Sequence, residues 1–247
     1  MPAKIMMAMS SYKDLEWLKN VSVKSILNQD YEDWKLFLTH DGECWEADEI
    51  GRWIESLKDR RIVYNIVPRV LPDPPFEVGS PMWRVAGYQA VNFGLDLIKK
   101  ENPNAYVLHC DTDDFWKTHH ISLLKNFLDD NKYKTNFVYS KAAWFAQNHY
   151  ICNIPNDAEF SAEKMMQENY IAHSTIGYRL KSPHQLHYSG ETDMPSDWRH
   201  HKSFLECGKP FICTNDISVL YFQRCTVGFA TAIIDMIEKG KWNAPFA

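Results

Sequence analysis

Three carboxylates fall within four residues at Asp111-Thr112-Asp113-Asp114, directly after the apolar run Tyr106-Val107-Leu108. Acids this close repel one another. At the end of a buried strand they are costly unless a cation or a set of hydrogen-bond donors satisfies them. Asp-x-Asp spacing puts hard oxygen ligands on one short loop, which suits Mg²⁺ or Mn²⁺ completed by the phosphates of a substrate. Asp111, Asp113 and Asp114 are the candidate metal ligands. The competing reading is a turn at Asp111 with Asp113 or Asp114 capping a helix expected over 119–128.

The elements around this loop say where it must sit. Residues 4–9, 34–39, 61–67 and 106–111 read as strands, and 14–27, 46–57 and 84–100 as amphipathic helices between them. The β-α-β-α-β order predicts an α/β fold with a mostly parallel, Rossmann-like sheet and helices on both faces. Ligands of such sheets bind at the carboxyl ends of the strands. Three polar strand ends collect there: Ser10-Ser11, His40-Asp41-Gly42 and Asp111 to Asp114. Residues 68–82 carry five prolines and form a loop of functional length. Beyond 119–128, strands are expected over 136–144, 171–180, 211–214 and 219–222, and helices over 196–207 and 226–239. An irregular stretch is expected over 147–168 and a loop over 182–190. No linker divides the chain, so a single domain over 1–247 is expected.

Composition narrows the class. The chain is 247 residues long, 45% hydrophobic, with a formal net charge of −5, which argues against bulk electrostatic binding of nucleic acid or anionic membrane. The Lys58-Asp-Arg-Arg61 cluster is too slight to support a nucleic-acid partner. The six cysteines form no C-x-x-C pair, and a reducing cytoplasmic location is the simplest expectation. No apolar run approaches the roughly 18 residues of a membrane span, and the N-terminal run reads as a strand rather than a leader. Neither G-x-G-x-x-G nor a Walker-type loop is present, which disfavours dinucleotide dehydrogenases and P-loop enzymes.

The ordered motifs resemble those of the family-2-type glycosyltransferases, which have a GT-A fold and use nucleotide sugars. The matching stretches are Met9-Ser-Ser-Tyr-Lys13, Ser25-Ile-Leu-Asn-Gln-Asp-Tyr31, Trp34 to Glu43, Ala90-Val-Asn-Phe-Gly94, Asp111-Thr-Asp-Asp114, Ser196 to Gly208, and Tyr221-Phe-Gln-Arg224. Each is weak alone, and together they span about residues 4 to 225. The resemblance implies a donor half over 1–116, an acceptor half over 117–225 and a closing helix over 226–247. It implies that Ser10, Asp41, Arg84, Asn92, Asp111, Thr112 and Asp113 line the donor site, with Arg84 assigned by position alone. His40 stands where the family has a first Asp, which puts the base contact in question. His173-Ser174-Thr175 falls where the family shapes its sugar pocket. Asp197 aligns with the general base, Asp193 competes for that role, and a helix N-cap is the structural alternative. His187, Lys202 and Lys209 read as loop or solvent-facing residues.

The leading expectation is an inverting transferase, dependent on Mn²⁺ or Mg²⁺, that moves a sugar from a nucleoside diphosphate, uridine first, to an acceptor hydroxyl on a glycan or small molecule. Two alternatives stay open: a metal-dependent nucleotidyltransferase, and a non-catalytic nucleotide-sugar-binding module, which the His40 substitution favours.

Overall fold

The computed structural model describes residues 4–72, 77, 79–130, 135–155, 162–169, 171–181, 187–208 and 211–241. Parts of the 68–82, 147–168 and 182–190 stretches, Lys209 and the last six residues lie outside them. Strand β1 (Ile5–Ser11) is buried along nearly its whole length, as an inner parallel strand covered on both faces should be. It pairs in parallel with β2 (Trp34–Asp41) and β4 (Tyr106–His109), and β2 pairs in parallel with β3 (Ile62–Val67). The register sets Ser11 beside His40 and Ala8 beside His109, so β1 and β2 end together while β4 gives out three residues earlier and runs on into the acidic loop.

Beyond β4 the sheet departs from the expected parallel pattern. One nine-stranded sheet runs β3-β2-β1-β4-β8-β6-β9-β5, with β7 paired to β6. Here β5 is Asp114–Trp116, β6 Phe137–Ala146, β7 His149–Ile154, β8 Ile176–Arg179 and β9 Phe211–Gln223. β4 and β6 each pair antiparallel with β8, β6 and β9 run parallel, and β5 pairs antiparallel with β9. The sheet is therefore mixed rather than mostly parallel.

Side chains alternate across β1. Ile5, Met7 and Met9 join one core with Ile50, Ile54 and Leu124, while Met6 and Ala8 join another with Val91, Leu95 and Ile98. Helices lie on both faces. The first is three short segments in series: α1 (Leu15–Trp17), a π-helical turn (Leu18–Ser22) and α2 (Val23–Leu27). Its residues and those of α3 (Trp45–Leu57) and α6 (His120–Asp129) contribute to the first core. On the other face, α5 (Tyr88–Glu101) and α8 (Ser196–Glu206) contribute to the second. α9 (Val227–Glu238) closes a third cluster around Phe145 and Phe222.

Several local readings change. The helix expected over 84–100 is two, α4 (Pro81–Arg84) and α5, parted where Gly87 takes φ +76°. The stretch over 147–168 contains β7 and α7 (Ala162–Gln167); Gln147 and Asn148, both at positive φ, make the tight turn from β6 into β7. Residues 211–223 form one strand. Its polar Thr214-Asn-Asp216 is a bulge opposite Ser140, which the sequence shows only as a break. Gly94 brings α5 close to the sheet, since an added Cβ would lie 3.2 Å from that of Ala8.

At the opposite end of the sheet from these polar loops, Asp129 ties α6 to the strands. Its carboxylate accepts from Lys4 Nζ at 2.6 Å, Lys125 Nζ at 2.8 Å and the Tyr106 hydroxyl at 2.6 Å. Burial pushes its pKa up, but these donors outweigh burial and hold it well below the usual carboxylate range. A folded-state pKa below the unfolded value gives stability that is present above about pH 4 and lost as pH falls further. Asp129→Ala is expected to cost about 1–2 kcal/mol at pH 7 in urea denaturation, with the difference from wild type shrinking below about pH 4. An equal gap at pH 7 and pH 3 would contradict the assignment.

Candidate functional site

The carboxyl ends of β1, β2 and β4 open into a cleft of about 590 Å³, within the range of small-ligand sites. Of the residues expected to form the donor site, Ser10, Asp41, Arg84, Asp111, Thr112 and Asp113 line it. So do Asp197 and His173, from the second half of the chain. Asn92 and Asp114 do not.

The acidic loop is held from three sides. The Asp111 backbone N–H donates to Ser174 Oγ at 2.8 Å, and Asp111 Oδ1 lies 2.9 Å from His173 Nδ1. Thr112 Oγ1 donates to Asp14 Oδ2 at 3.1 Å, and the same oxygen accepts from the Tyr12 N–H at 3.1 Å. Asp14 thus locks the loop after β1 to the loop after β4. It also sets a further acid beside Asp111 and Asp113, and burial pushes its pKa up. Asp113 has no cationic partner among the described residues. Burial, then the charges of Asp111 and Asp14, raise its pKa. Asp114 is fully buried in β5, where Oδ1 accepts from the Phe222 N–H at 3.3 Å. Burial with its acidic neighbours raises its pKa strongly, against the pull of Ser174 and the Phe222 amide.

The adjacent Asp111 and Asp113 carboxylates, with no Lys or Arg paired to them among the described residues, are an all-oxygen set that fits a hard divalent cation. Among the described residues no three His, Cys, Asp or Glu side chains form a complete cage, so any such ion would need ligands from substrate or water. Asp111 and Asp113 have cleft-facing positions for this role, whereas Asp114 is turned into the sheet.

At the β2 end, Asp41 Oδ2 accepts from Arg69 Nη1 at 2.5 Å, and the Arg69 guanidinium lies 4.1 Å from the Tyr12 ring centroid. Burial raises the Asp41 pKa, against the pull of Arg69. His40 lies outside the cleft lining and is fully buried. It accepts from the Lys13 N–H at Nε2 (3.3 Å), which makes Nδ1 the donor to Gly42 O (2.8 Å). Burial lowers its pKa, as the neutral ring requires. The substitution of His for the family's first Asp therefore builds a tie between two loops. Gly87 lies so close to Ser10 that an added Cβ would come within 2.7 Å of Ser10 Oγ.

Two expected donor contacts hold other parts of the protein. Arg84 Nη1 donates to the carbonyls of Thr192 (3.1 Å) and Asp193 (2.9 Å). Asn92 clamps the backbone of Tyr188. In the second half, Asp197 stands in the first turn of α8, and its carboxylate accepts from the Trp198 N–H at 2.8 Å and Asn169 Nδ2 at 3.1 Å. Burial raises its pKa, partly offset by His173 and these two donors. No side-chain cap bond is made at the α8 N-cap, Pro195. Asp193 lies outside the cleft lining, 63% exposed, and pairs with Arg199.

His173 stands between the acids of the two halves. Burial pulls its pKa down, but Asp111 and then Asp197 outweigh burial and raise it. Asp14, Arg69, Tyr188 and Asn169 were not legible as site residues. Asp14 reads as a helix start and Arg69 as one residue of a proline-rich loop; the signal for Asp14 is an acid four residues past Ser10 at a strand end.

No protein-family model matches the chain. In sequence it is 25% identical over 206 residues, 77% of this chain and 80% of the relative, to the uncharacterized glycosyltransferase R139 of Acanthamoeba polyphaga mimivirus. In structure it is similar to S. aureus TarS 1–349 in complex with UDP (TM-score 0.59, 12% identity, 98% of this chain and 66% of that one). It is also similar to the mannosyltransferase PcManGT of Pyrobaculum calidifontis in complex with GDP-Man and Mn²⁺ (TM-score 0.56, 13% identity, 89% and 57%). The chain spans 41–66% of the length of the solved structures it matches.

His40, His120 and His201 are fully buried, and burial lowers the pKa of each. Rings held neutral when folded add stability that is complete above the unfolded value near 6.5 and declines as pH falls, by up to roughly 1.4 kcal/mol per pH unit for each proton. His173 and the raised carboxyls of Asp113 and Asp114 work in the opposite direction. One ring is isolated by difference: the gap in stability between wild type and His120→Gln, measured by guanidinium denaturation, is expected to shrink from pH 7 to pH 5, and a constant gap would contradict the neutral-ring assignment. In fold the chain matches solved GT-A-type glycosyltransferases, and in sequence it is similar to a viral protein that carries the glycosyltransferase name.

Proposed function

We propose that the chain is an inverting glycosyltransferase, dependent on Mn²⁺ or Mg²⁺, that moves a sugar from a nucleoside-diphosphate donor to an acceptor hydroxyl. The single observation that carries this reading is the meeting, in one cleft, of Asp111 and Asp113 at the β4 end, which no Lys or Arg pairs among the described residues, and Asp197 from α8. The relatives add support: solved structures of similar fold hold UDP, UDP-GlcNAc, and GDP-Man with Mn²⁺.

Asp111 and Asp113 would hold the cation, and a bound Mn²⁺ or Mg²⁺ would neutralise charge developing on the diphosphate. Asp41 and Arg69 stand at the nucleobase end. One Asp41 oxygen is taken by Arg69, so the pair offers an acceptor beside a donor rather than a carboxylate open at both oxygens. Uracil, with one N–H flanked by two carbonyls, matches that edge better than guanine, whose adjacent N–H groups want two acceptors. Tyr12, with Arg69 across its ring, offers a flat surface at the same end.

Asp197 is the group that takes the proton from the acceptor hydroxyl. Burial shifts its pKa toward the value of an effective base, and Asn169 and the Trp198 amide fix its orientation. Attack on the face opposite the leaving diphosphate inverts the anomeric centre. The acceptor end of the cleft is lined by Ile154, Ile171, Tyr221, Gln223 and Arg224, a mixed surface suited to a sugar or small polar molecule. The six cysteines stand outside disulfides, which suits a reducing, cytoplasmic setting, and no helix among the described residues is long and apolar enough to cross a membrane. The position of His40 as a loop tie removes the sequence feature that favoured a non-catalytic module.

Transfer from UDP-sugars and GDP-sugars with and without EDTA tests the reading. Asp197→Asn is expected to lower turnover about 10²–10⁴-fold while leaving UDP binding within about twofold. Asp113→Asn is expected to weaken UDP binding in Mn²⁺. Transfer that survives both EDTA and Asp113→Asn would overturn the metal role, and full turnover in Asp197→Asn would overturn the base.

A further inference from the structure

A chain of contacts runs from α5 to the acidic loop through a residue that no motif singled out. Asn92 grips the backbone of Tyr188 with both ends of its amide: Nδ2 donates to Tyr188 O at 2.9 Å, and Oδ1 accepts from the Tyr188 N–H at 2.7 Å. The Tyr188 ring is 4% exposed and stacks on His200, with centroids 4.2 Å apart and planes 18° apart. With backbone and ring both held, the hydroxyl sits 2.8 Å from His173 Nε2. The other ring nitrogen of His173 faces Asp111 Oδ1 at 2.9 Å. The His173 ring is also stacked on His109, with centroids 4.6 Å apart.

An imidazole with a polar partner on only one nitrogen can turn over about its ring axis, exchanging Nδ1 for a carbon. A second partner on Nε2 removes that freedom, and the Tyr188 hydroxyl is that partner. Nδ1–H is then the donor to the carboxylate, whichever way the Tyr188 proton points. One Asp111 oxygen is fixed by this bond and by the loop's anchor to Ser174, while Oδ2 has no hydrogen bond among the described residues. A carboxylate oriented before the ligand arrives loses less freedom on binding, which is how outer partners raise the affinity of metal and phosphate sites.

We propose that Tyr188, braced by Asn92, is a positioning residue for the donor site: through His173 it sets the orientation of the Asp111 carboxylate toward a cation-bound diphosphate. The proposal rests on the donor reading above and assigns Asn92 a role behind the site rather than in contact with the sugar. Its alternative is that Tyr188 only packs against His200.

Phenylalanine separates the two, because Tyr188→Phe keeps the stacked ring and removes only the hydroxyl. Calorimetry of the full chain would measure UDP with Mn²⁺ and, separately, uridine without metal; GDP and guanosine replace them if the wild type prefers guanine. Tyr188→Phe is expected to weaken diphosphate binding in Mn²⁺ about tenfold and to leave nucleoside binding unchanged. Asn92→Ala is expected to shift binding in the same direction, which keeps the test open if one variant folds poorly. His173→Asn retains a donor nitrogen near the place of Nδ1 but has nothing for Tyr188 to hold. In that background Tyr188→Phe is expected to add no further loss. Wild-type diphosphate binding in Tyr188→Phe, a parallel loss of nucleoside binding, or a full additional loss in the His173→Asn background would each overturn the positioning role. A wild type that binds no nucleoside diphosphate would overturn the donor reading itself, and the positioning role with it.

Discussion

Concentrated negative charge at the carboxyl ends of β1 and β4 is the constraint around which the second half of the molecule is arranged. Asp14, Asp111 and Asp113 share one cleft, and Asp114 is buried directly behind them. Parallel pairing ends β1 and β2 together, and β4, which stops at His109 beside Ala8, releases the acidic loop into the same cleft. The structure does not neutralise the group with lysine or arginine among its described residues. It gives Asp111 a histidine, Asp14 two hydrogen bonds, and Asp114 a backbone amide, and leaves Asp113 to the cleft. Such a site is stable in isolation chiefly by raising pKa values, and it gains most from a ligand that brings positive charge.

The same economy appears at β2. Arg69 sits on Asp41, and His40, neutral and fully buried, sews the loop after β1 to the loop after β2. A second carboxylate in place of His40 would add charge to a buried position with an amide on one side and a carbonyl on the other. Only the amide would suit an acid. Histidine meets both because one ring nitrogen accepts while the other donates.

Much of the donor half was legible in the sequence, and the reason is local. Apolar runs such as Ile5 to Met9 and helical repeats such as Ile50-Trp53-Ile54 carry their own periodicity, and polar residues directly after a strand sit at its end. The acceptor half was read less well. β7 and α7 hid in a stretch without clean alternation, and the bulge in β9 looked like a break between two strands. The antiparallel insertion of β8 between β4 and β6 is a long-range pairing that no local pattern encodes. Arg69, Tyr188 and Asn169 reach the cleft from loops and short turns, where position depends on tertiary contacts such as the Asn92 clamp. Asn92 itself was found by its motif but given a ligand contact, since sequence shows a residue's neighbours along the chain and not across it.

The antiparallel pairing of β5 with β9 has a mechanical consequence. β5 begins at Asp114, the last residue of the acidic loop, and its partner strand ends at Gln223, in the part of the cleft lining that the second half of the chain supplies. The two ends of the cleft are thus cross-linked by sheet hydrogen bonds rather than carried on bodies that swing together. A hinge between them would have to unzip a ladder. The distance between the two ends is consequently set when the sheet forms, and admission of reactants falls to the loops and side chains along the rim.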